Sequence, residues 1–231
     1  MIFKIFLALL LVAPSLSVAA PKKACPFYLS ARRQLLDRSF VIHPPRKGGK
    51  SSYVRVAFFD ADSTLRKPKK GMFVRKPSDV VILPGVVEKL RELNNEGYLV
   101  AIVSNQGGIP NQLSFKDADQ NLLKTVTLLR EGGAIVHYFD FAEARNINRK
   151  PGIGMGTNLE TVLKLEYPDS PVRIDWRHSF MVGDAAYMKG EIRPDGTKGH
   201  DFTNTDRLFA EALEIPFEEA RYFFGWKKKK E

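Results

Sequence analysis

Two carboxylates spaced one residue apart follow an apolar run in the first third of the chain. They are Asp60 and Asp62, and the run before them covers residues 53–59. This run is rich in β-branched and aromatic residues, long enough for a buried strand and too short for a helix. Asp60 is therefore predicted at the carboxyl end of a strand, the edge at which α/β sheets bind ligands. If the chain turns there, one carboxylate could attack phosphorus while the other handles protons.

Strand and helix patterns alternate through the rest of the chain. Apolar residues at helical spacing predict four helices, over residues 84–95, 114–130, 157–165 and 205–213. Short apolar runs predict three further strands, over residues 98–103, 134–138 and 180–182. The alternation predicts an α/β fold whose mostly parallel sheet is covered by helices on both faces.

Each predicted strand is followed by a polar cluster. Ser104, Asn105 and Gln106 precede two glycines after the second strand, where a hydroxyl and backbone amides could hold phosphate oxygens. Lys150 lies in a proline-stiffened loop after the third strand, and Asp184 follows a glycine after the fourth. Each cluster alone has an ordinary interpretation, since such pairs are common in turns and most lysines are solvated. Their order along the chain is the more specific signal.

This order, Asp-x-Asp-x-Thr followed by serine, lysine and Gly-Asp, resembles the haloacid dehalogenase (HAD) superfamily of phosphohydrolases. Within that superfamily the chain is most similar to the 3'-phosphatase domain of polynucleotide kinase/phosphatase enzymes. The segments that carry the closer similarity are residues 104–109, 149–151, 154–155, 182–186, 201–203, 206–210, 216–217 and 223–224, and Trp226. The resemblance covers roughly residues 53–226 and implies a Rossmann-like, HAD-like fold.

Two residues depart from the family pattern. Ser63 stands where the family usually has glycine, and a small polar residue fits that turn if its φ is negative. Tyr187 replaces the glycine that commonly follows Asp-Ala-Ala. We expect Ser63 to disturb the turn little, and we expect Tyr187 to change the shape of the pocket entrance.

The resemblance implies a two-step phosphatase mechanism. Asp60 would attack phosphorus in line and form an aspartyl-phosphate, while Asp62 would protonate the leaving oxygen and later activate water. An attacking carboxylate and a phosphate dianion repel each other, so Mg²⁺ is the implied cofactor. Its implied ligands are the carboxylates of Asp60 and Asp184 and the main-chain carbonyl of Asp62.

Further residues have roles implied by the same resemblance. Ser104 would bind a phosphate oxygen, Lys150 would offset charge on the equatorial oxygens, and Thr64 would steady the nucleophile loop. Asp201 and Asp206 belong either to the shell behind the metal ligands or to helix caps, and both interpretations stay open. The implied phosphate- and substrate-binding residues are Thr64, Arg66, Lys67, Ser104, Asn105, Gln106 and Lys150.

The spacing of these residues leaves no room for a large cap domain. Ser104 lies 44 positions beyond Asp60, and Lys150 lies 46 beyond Ser104, so the predicted elements consume both intervals. An uncapped site can admit the end of a polymer. The loop after the nucleophile adds cations that could track a phosphate backbone, beside Met72 and Phe73, which could stack on a base. A solvated hairpin explains any single one of these cations. These cations are Arg66, Lys67, Lys69, Lys70, Arg75 and Lys76.

The leading hypothesis is an exported, Mg²⁺-dependent phosphatase that removes 3'-phosphates from the ends of DNA or oligonucleotides. Residues 49–51 resemble an ATP-binding loop, but Pro44 stands where such a loop needs glycine, so neither ATP binding nor kinase activity is expected. The enzymatic alternative is a small-molecule phosphatase of the same superfamily, acting on sugar, nucleotide or histidinol phosphates. The third hypothesis is a catalytically silent nucleic-acid or surface-binding module, although such a module would not need clustered carboxylates.

The beginning of the chain has the features of an exported protein. Residues 1–19 combine a lysine, an apolar run too short to span a bilayer and small residues before a predicted cleavage site, as signal peptides do. A periplasmic or secreted protein without a membrane anchor is therefore expected. Residues 20–52 form a basic, proline-dotted extension, residues 53–226 the phosphatase domain and residues 227–231 a basic tail.

Composition sets further limits. The 231 residues are 44% hydrophobic, enough for one buried core. The net charge of +10 favours a polyanionic partner. Cys25 is the single cysteine, so the chain can form neither an internal disulfide nor a multi-cysteine zinc site.

Overall fold

Strands and helices alternate throughout the part of the chain that the computed structural model describes, residues 30–143 and 145–226. The strands are β1 Ser52–Val54, β2 Val56–Phe59, β3 Arg66–Pro68, β4 Val80–Ile82, β5 Leu99–Asn105, β6 Tyr138–Ala142, β7 Val172–Ile174, β8 Phe180–Gly183 and β9 Phe217–Glu219. The helices are α1 Val86–Asn95, α2 Phe115–Glu131, α3 Gly154–Glu166, α4 Thr205–Ala212 and α5 Ala220–Phe223.

The central sheet has five parallel strands in the order β6-β5-β2-β8-β9. β2 therefore lies in the middle, with β5 and β8 as its neighbours. β1 pairs with β7 in a small parallel sheet, and β3 pairs with β4 in an antiparallel hairpin. The predicted α/β fold with a mostly parallel sheet is confirmed.

Side chains of β2 alternate between the two faces of the sheet because successive residues of a strand point in opposite directions. Ala57 and Phe59 pack in one apolar layer, which includes residues of α1 and α2. Val56 and Phe58 pack in a second layer, which includes residues of α3 and α4. The two layers bury all four residues of β2, so the strand forms the centre of the core.

The sequence placed most elements within a few residues but misplaced one strand. The third strand was predicted over residues 134–138, and the structure places it at Tyr138–Ala142. Asp140 lies in the middle of this strand and is completely buried, which an apolar pattern cannot anticipate. Four other strands, β3, β4, β7 and β9, were not predicted, because runs of three residues give little periodic signal.

Residues 30–43, called here the N-terminal segment, pass the outer edge of β6 and then reach Gly97 and Tyr53. The main-chain N–H groups of Arg33 and Leu36 donate to Phe139 O and His137 O, at 3.0 Å and 2.8 Å. Arg32 Nε also donates to the buried Asp140 carboxylate at 2.5 Å. This segment is therefore packed on the sheet by both main-chain and side-chain bonds.

Two short insertions carry side chains to the edge of the sheet at which β2 ends. The first is the cleft hairpin, defined here as residues 66–82, which contains β3 and β4. The second is the 185–204 loop between β8 and α4. Both insertions are far smaller than a separate domain, which agrees with the expected absence of a large cap.

Several predictions concern residues outside the described ranges. They are the signal peptide of residues 1–19, Cys25 and the basic tail of residues 227–231. Among the helices that the structure does describe, none is both long and apolar enough to cross a membrane.

Candidate active site

The carboxyl ends of the three middle strands open into one cleft. Asp60 directly follows β2, Ser104 and Asn105 end β5, and Asp184 directly follows β8. The cleft has a volume of about 580 Å³, and its lining includes Asp60, Asp184 and Lys150. Parallel neighbouring strands thus bring the chemically important residues to one edge of the sheet.

Asp60 is buried at the floor of the cleft, and a lysine holds one of its oxygens. Its main-chain N–H donates to Val182 O at 3.0 Å, which fixes the residue against β8. Lys150 Nζ donates to Asp60 Oδ1 at 2.6 Å. The pKa of Asp60 is raised to about 7, chiefly by burial, with the charges of Asp206 and Asp62 adding to the effect and Lys150 opposing it. A cation close to this carboxylate would favour its ionised, nucleophilic form.

Lys150 is buried among three acceptors. Its Nζ lies 2.6 Å from Asp60 Oδ1, 2.7 Å from Asp206 Oδ1 and 2.7 Å from Val103 O. Burial acts to lower the pKa of Lys150, but the charges of Asp206 and Asp60 outweigh it and the pKa is raised. An ammonium group has three donors, so all of them are used. A direct bond from Lys150 to a phosphate oxygen therefore requires the exchange of one partner.

Three carboxylates form an acidic cluster beside this lysine. Oxygen atoms of Asp60, Asp184 and Asp206 all lie within 4.8 Å of one another. Thr64 Oγ1 donates to Asp184 Oδ1 at 3.3 Å. The pKa of Asp184 is raised to about 8, chiefly because of desolvation in the cleft and then because of the charges of Asp60 and Asp206. Asp184 is nonetheless the member of the cluster whose surface is open to the cleft.

This cluster fits a hard divalent cation. Carboxylate oxygens are the ligands that Mg²⁺ prefers, and a cation would relieve their mutual repulsion. Asp206 already accepts bonds at both oxygens, from Lys150 Nζ at 2.7 Å and from the N–H of Ala185 at 3.1 Å. Asp60 and Asp184 are therefore the carboxylates that can face a cation. Asp206 lies behind them, and Asn204, not Asp206, is the residue at the N-cap of α4.

Asp62 is held from two sides by hydrogen-bond donors. Arg66 Nε donates to Asp62 Oδ1 at 2.9 Å, and Gln106 Nε2 donates to Oδ2 at 2.8 Å. Burial works to raise the pKa of Asp62, but Arg66 and Gln106 together hold it below its usual range. About two fifths of the Asp62 side chain is exposed, 41%. Asp62 therefore has both a fixed position and access to the cleft.

The turn that follows Asp60 differs from the expectation at Ser63. A negative φ was expected there, and the structure gives Ser63 a φ of 64°. This left-handed conformation is strained for a residue with a Cβ and natural for glycine. The turn is closed by the N–H of Ser63 donating to Arg66 O at 2.8 Å. The turn therefore holds Ser63 in a left-handed conformation that serine does not favour.

Ser104 and Asn105 end β5 in different environments. Ser104 is buried, and its Oγ accepts a hydrogen bond from Gln106 Nε2 at 2.9 Å. The Asn105 side chain bonds the main chain of Lys150 twice, donating to its O at 3.1 Å and accepting from its N–H at 2.9 Å. Asn105 thus fixes the lysine loop across the sheet edge, while its predicted phosphate contact, like that of Ser104, stays a prediction.

The prediction that Arg66 binds substrate is corrected by its burial. Its side chain is 0% exposed and bonds Asp62 and Thr125, so it cannot track a phosphate backbone. Lys67, the next residue, is exposed but does not line the cleft. Alternation along β3 explains the difference, since neighbouring strand residues point to opposite sides.

Asp201 and Tyr187 organise the 185–204 loop. Asp201 Oδ2 accepts hydrogen bonds from the N–H groups of Ala186 and Tyr187, at 3.2 Å and 2.7 Å. The Tyr187 ring contacts the guanidinium groups of Arg193 and Arg207, which lie 5.5 Å and 4.8 Å from its centroid. Tyr187 therefore packs within the loop and is not among the residues that line the cleft.

Three cleft residues had no role assigned to them individually in the sequence: Arg149 and Phe202 lie in segments that carry the family similarity, and Arg75 lies in the basic run. Arg149 and Arg75 both line the cleft, and Arg149 lies over Gly107. Phe202, also in the lining, is 99% exposed. The position of Arg149 beside Lys150 could have indicated its place in the cleft, whereas the residue type of Phe202 does not by itself indicate a place at the site. Together with Met72 and Phe73, these residues give the cleft mouth a basic and apolar character.

Residues 55–224 match the family model described as "Polynucleotide kinase 3 phosphatase". The bifunctional polynucleotide phosphatase/kinase of Schizosaccharomyces pombe is 32% identical over 168 residues, which is 72% of this chain and 36% of that protein. This chain spans 40% of the length of a mimivirus relative of the same kind. It therefore covers two fifths or less of the length of these two bifunctional relatives.

Relatives with a different substrate also match. The D-glycero-beta-D-manno-heptose-1,7-bisphosphate 7-phosphatase of Rhodopseudomonas palustris is 27% identical over 163 residues, 65% of this chain and 84% of that protein. The crystal structure of the D,D-heptose 1,7-bisphosphate phosphatase from B. bronchiseptica, complexed with magnesium and phosphate, superposes with a TM-score of 0.54. That likeness has 16% identity and covers 77% of this chain and 89% of the other, so it shows a shared fold.

Proposed function

Because the chain belongs to the polynucleotide kinase 3 phosphatase family of HAD-type phosphatases, we propose that it removes the 3'-phosphate from nucleic-acid ends. The chain is a phosphoric monoester hydrolase. The finer proposal adds Mg²⁺ dependence, export by residues 1–19 and DNA or oligonucleotide ends as substrate. The family match and the cleft mouth support the substrate, the acidic cluster supports Mg²⁺, and only the sequence pattern of residues 1–19 supports export.

Asp60 is the proposed nucleophile. Its carboxylate would form a bond to phosphorus while the ester oxygen leaves, giving an aspartyl-phosphate that water later hydrolyses. Mg²⁺, held by the Asp60 and Asp184 carboxylates and the Asp62 main-chain carbonyl, would neutralise charge on the attacking carboxylate and the phosphate. Lys150 holds the nucleophile in place through its 2.6 Å contact with Asp60 Oδ1. Asp62, ionised in the free protein, would take up a proton when substrate binds, pass it to the leaving oxygen and later take one from water.

The substrate proposal rests on the residues at the mouth of the cleft. Arg75 and Arg149 supply positive charge, and Met72 and Phe73, which are 83% and 59% exposed, supply apolar surface at the rim. Cations that follow a phosphate backbone, combined with surfaces on which bases stack, are the usual means of binding single strands. A site for a sugar phosphate alone has no need of exposed aromatic and basic groups at its mouth.

A heptose bisphosphate or a related small phosphate ester is the second candidate. The observation in its favour is the match to a heptose bisphosphate 7-phosphatase, of which this chain covers 84%. The bifunctional relatives support the first candidate more strongly because their identity to this chain is higher, 32% against 27%.

A comparison of substrates tests the proposal. The purified chain is incubated with Mg²⁺ and one of four phosphates: a 3'-phosphorylated oligonucleotide, its 5'-phosphorylated counterpart, a 3'-nucleotide or a heptose bisphosphate. We expect the highest kcat/KM for the 3'-phosphorylated oligonucleotide. A higher kcat/KM for the heptose ester would support the second candidate, and equal rates at both oligonucleotide ends would contradict the first. Chelation of the metal should stop turnover, and re-addition of Mg²⁺ should restore it.

Export has a separate test. The pattern of residues 1–19 supports cleavage after Ala19 or Ala20. N-terminal sequencing of the protein recovered outside the cytoplasm should begin at one of the next residues. Recovery of the protein in the cytoplasm with Met1 intact would contradict export without affecting the catalytic proposal.

A further inference from the structure

Arg66 makes a two-pronged contact with the proposed acid/base residue. Its Nε lies 2.9 Å from Asp62 Oδ1, and its Nη2 lies 3.4 Å from Asp62 Oδ2. The planar guanidinium matches the plane of a carboxylate, so two parallel contacts fix orientation as well as distance. A lysine at this position would fix only the distance.

The guanidinium itself has a fixed place. Arg66 is 0% exposed, and its Nη1 donates to Thr125 Oγ1 on α2 at 3.0 Å. Thr125 Oγ1 in turn donates to Asn121 O at 2.9 Å. A buried charge that loses its partners carries a large desolvation cost, so the guanidinium cannot leave these contacts freely. The orientation of the Asp62 carboxylate is therefore set by the core of the protein.

The same arginine joins Asp62 to the cleft hairpin. Arg66 is the first residue of β3, and its main-chain N–H donates to Ala61 O at 3.0 Å. Further along the hairpin, Asn121 Nδ2 donates to Val74 O at 3.3 Å. The wall of the cleft and the Asp62 carboxylate are thus tied to α2 through neighbouring contacts.

We propose that Arg66 is a positioning residue that aims the Asp62 carboxyl group at the leaving-group oxygen. The proposal rests on the acid/base role proposed above for Asp62. In that step a bond forms between Asp60 and phosphorus and the bond from phosphorus to the ester oxygen breaks. Asp62, which Arg66 and Gln106 keep ionised in the free protein, first takes a proton from the monoanionic phosphate ester or from solvent and passes it to the departing oxygen, which leaves as an alcohol. Proton transfer needs a heavy-atom distance of roughly 2.6–3.2 Å, so a freely rotating carboxyl group transfers less efficiently.

The test compares leaving groups in an Arg66→Met variant. A nitrophenolate leaves without a proton, whereas phenolate and alkoxide leave with help from the acid. We expect kcat/KM to fall about ten- to a hundredfold for phenyl phosphate and the 3'-phosphorylated oligonucleotide, and less than about threefold for p-nitrophenyl phosphate. The ratio kcat/KM is chosen because it reports the steps up to leaving-group departure, whichever later step limits kcat.

Two further variants keep the test decisive. Thr125→Val removes the hydroxyl that anchors Arg66 with little change of shape, and we expect a smaller selective loss in the same direction. Arg32→Met removes a different buried arginine, which pairs with Asp140, and should lower stability while leaving the leaving-group ratio unchanged. Circular dichroism and thermal melting establish that each variant folds. If Arg66→Met does not fold, the Thr125→Val ratio decides.

Equal losses for all three esters in Arg66→Met would overturn the proposal, since they would indicate a structural role alone. An unchanged kcat/KM for phenyl phosphate in both Arg66→Met and Thr125→Val would also overturn it. The proposed substrate is tested separately by the unaltered chain. If that chain hydrolyses phenyl phosphate but shows no preference for 3'-phosphorylated ends, the substrate proposal fails and the Arg66 inference can still be decided.

Discussion

At the scale of single residues, Asp60 carries the proposed chemistry. The Asp60→Asn variant keeps a side-chain oxygen that can accept from Lys150 but loses the attacking carboxylate. We expect kcat to fall at least about a thousandfold, because removal of a covalent nucleophile leaves only binding and electrostatic effects. Phosphate release measures the loss, and acid quenching with labelled substrate should trap a phosphorylated chain only when Asp60 is present.

The fold should survive this substitution. Lys150 retains Asp206 and Val103 O as partners, so the buried ammonium stays paired. Near-ultraviolet circular dichroism is the control. A folded Asp60→Asn variant with more than about one hundredth of the original kcat would contradict the nucleophile assignment.

Ser63 provides a second prediction at this scale. Its φ of 64° is strained for any residue with a Cβ, so glycine should fit the turn better than alanine. Both Ser63→Gly and Ser63→Ala remove the hydroxyl, and they differ only in the Cβ. We expect the free energy of unfolding of the glycine variant to be higher by about 1 kcal/mol, after its greater entropy in the unfolded chain is included. Urea denaturation measures the difference, and an equal or higher value for alanine would contradict the strain.

The sequence could predict which residues reach the sheet edge, but not how their side chains pair. Asp60, Ser104 and Asp184 follow from the rule that ligands bind at the ends of parallel strands. The contact of Lys150 with Asp206 joins positions 56 residues apart, and no local pattern encodes it. Arg66 was predicted to bind substrate as part of a basic run, and its burial in the core has no local signal in the sequence.

At the scale of secondary-structure elements, the close packing of α4 against β8 depends on Gly183. A Cβ on Gly183 would overlap the Asp206 carboxylate, so that carboxylate can approach β8 only because position 183 has no side chain. In Gly183→Ala we expect Asp206 to be displaced and Lys150 to lose a partner. The value of kcat/KM should fall at least about tenfold, because misplacement of a supporting group by about 1 Å disturbs the reacting geometry.

Gly156→Ala is the matched control for this prediction. A Cβ there would meet the Leu213 side chain at 3.2 Å, which a flexible leucine can accommodate. Its kcat/KM should stay within about twofold of the original value. Equal activity in both alanine variants would show that the close approach of Asp206 does not matter for turnover.

The third strand lies at Tyr138–Ala142 and not at 134–138, and it shows why strand boundaries are difficult to predict from sequence. Residues 134–138 form an uninterrupted apolar run except for His137, whereas the observed strand Tyr138–Ala142 has a charged residue, Asp140, at its centre. In the structure Asp140 accepts bonds from Arg32 and Arg33, which come from a segment more than 100 residues earlier. The strand is therefore permitted by partners that lie far away in sequence.

At the scale of the whole molecule, one buried histidine links stability to pH. His137 is 1% exposed, and its Nδ1 accepts from the N–H of Val100 at 2.9 Å. Burial lowers the pKa of His137 to about 4, although the charge of Asp37 opposes this. Between pH 4 and about 6.5 the unfolded chain therefore binds more protons at this histidine than the folded chain does. The contribution of neutral His137 to stability is complete above pH 6.5 and is lost as the pH falls towards 4.

The expected loss is about 3 kcal/mol between pH 7 and pH 4. His137→Asn keeps an acceptor near the N–H of Val100 but does not titrate in this range. Urea denaturation of both proteins at several pH values isolates the effect as the difference between their unfolding free energies. That difference should narrow by up to about 3 kcal/mol on acidification. Parallel pH curves for the two proteins would contradict the assignment.

The charge of the molecule should appear in the salt dependence of turnover. The chain has a net charge of +10, and Arg75 and Arg149 bring part of it to the cleft. We expect kcat/KM for the oligonucleotide to fall with salt, and each alanine substitution of these arginines to reduce the log–log slope by about 0.7 to 1. Hydrolysis of p-nitrophenyl phosphate should change little. Lys89→Ala, on α1 and paired with Glu92, is the control that should leave the slope unchanged.

The N-terminal segment has a consequence for how copies of this protein behave toward one another. Without it, the main-chain carbonyl groups of Phe139 on β6 and of His137, just before β6, would lose the donors that now occupy them. A strand with a free edge is a template for pairing with the same strand of a second molecule. The family match begins only at residue 55, so a protein trimmed to the matched region would retain the cleft and expose this edge. Residues 30–43 therefore act as a barrier to edge-to-edge aggregation.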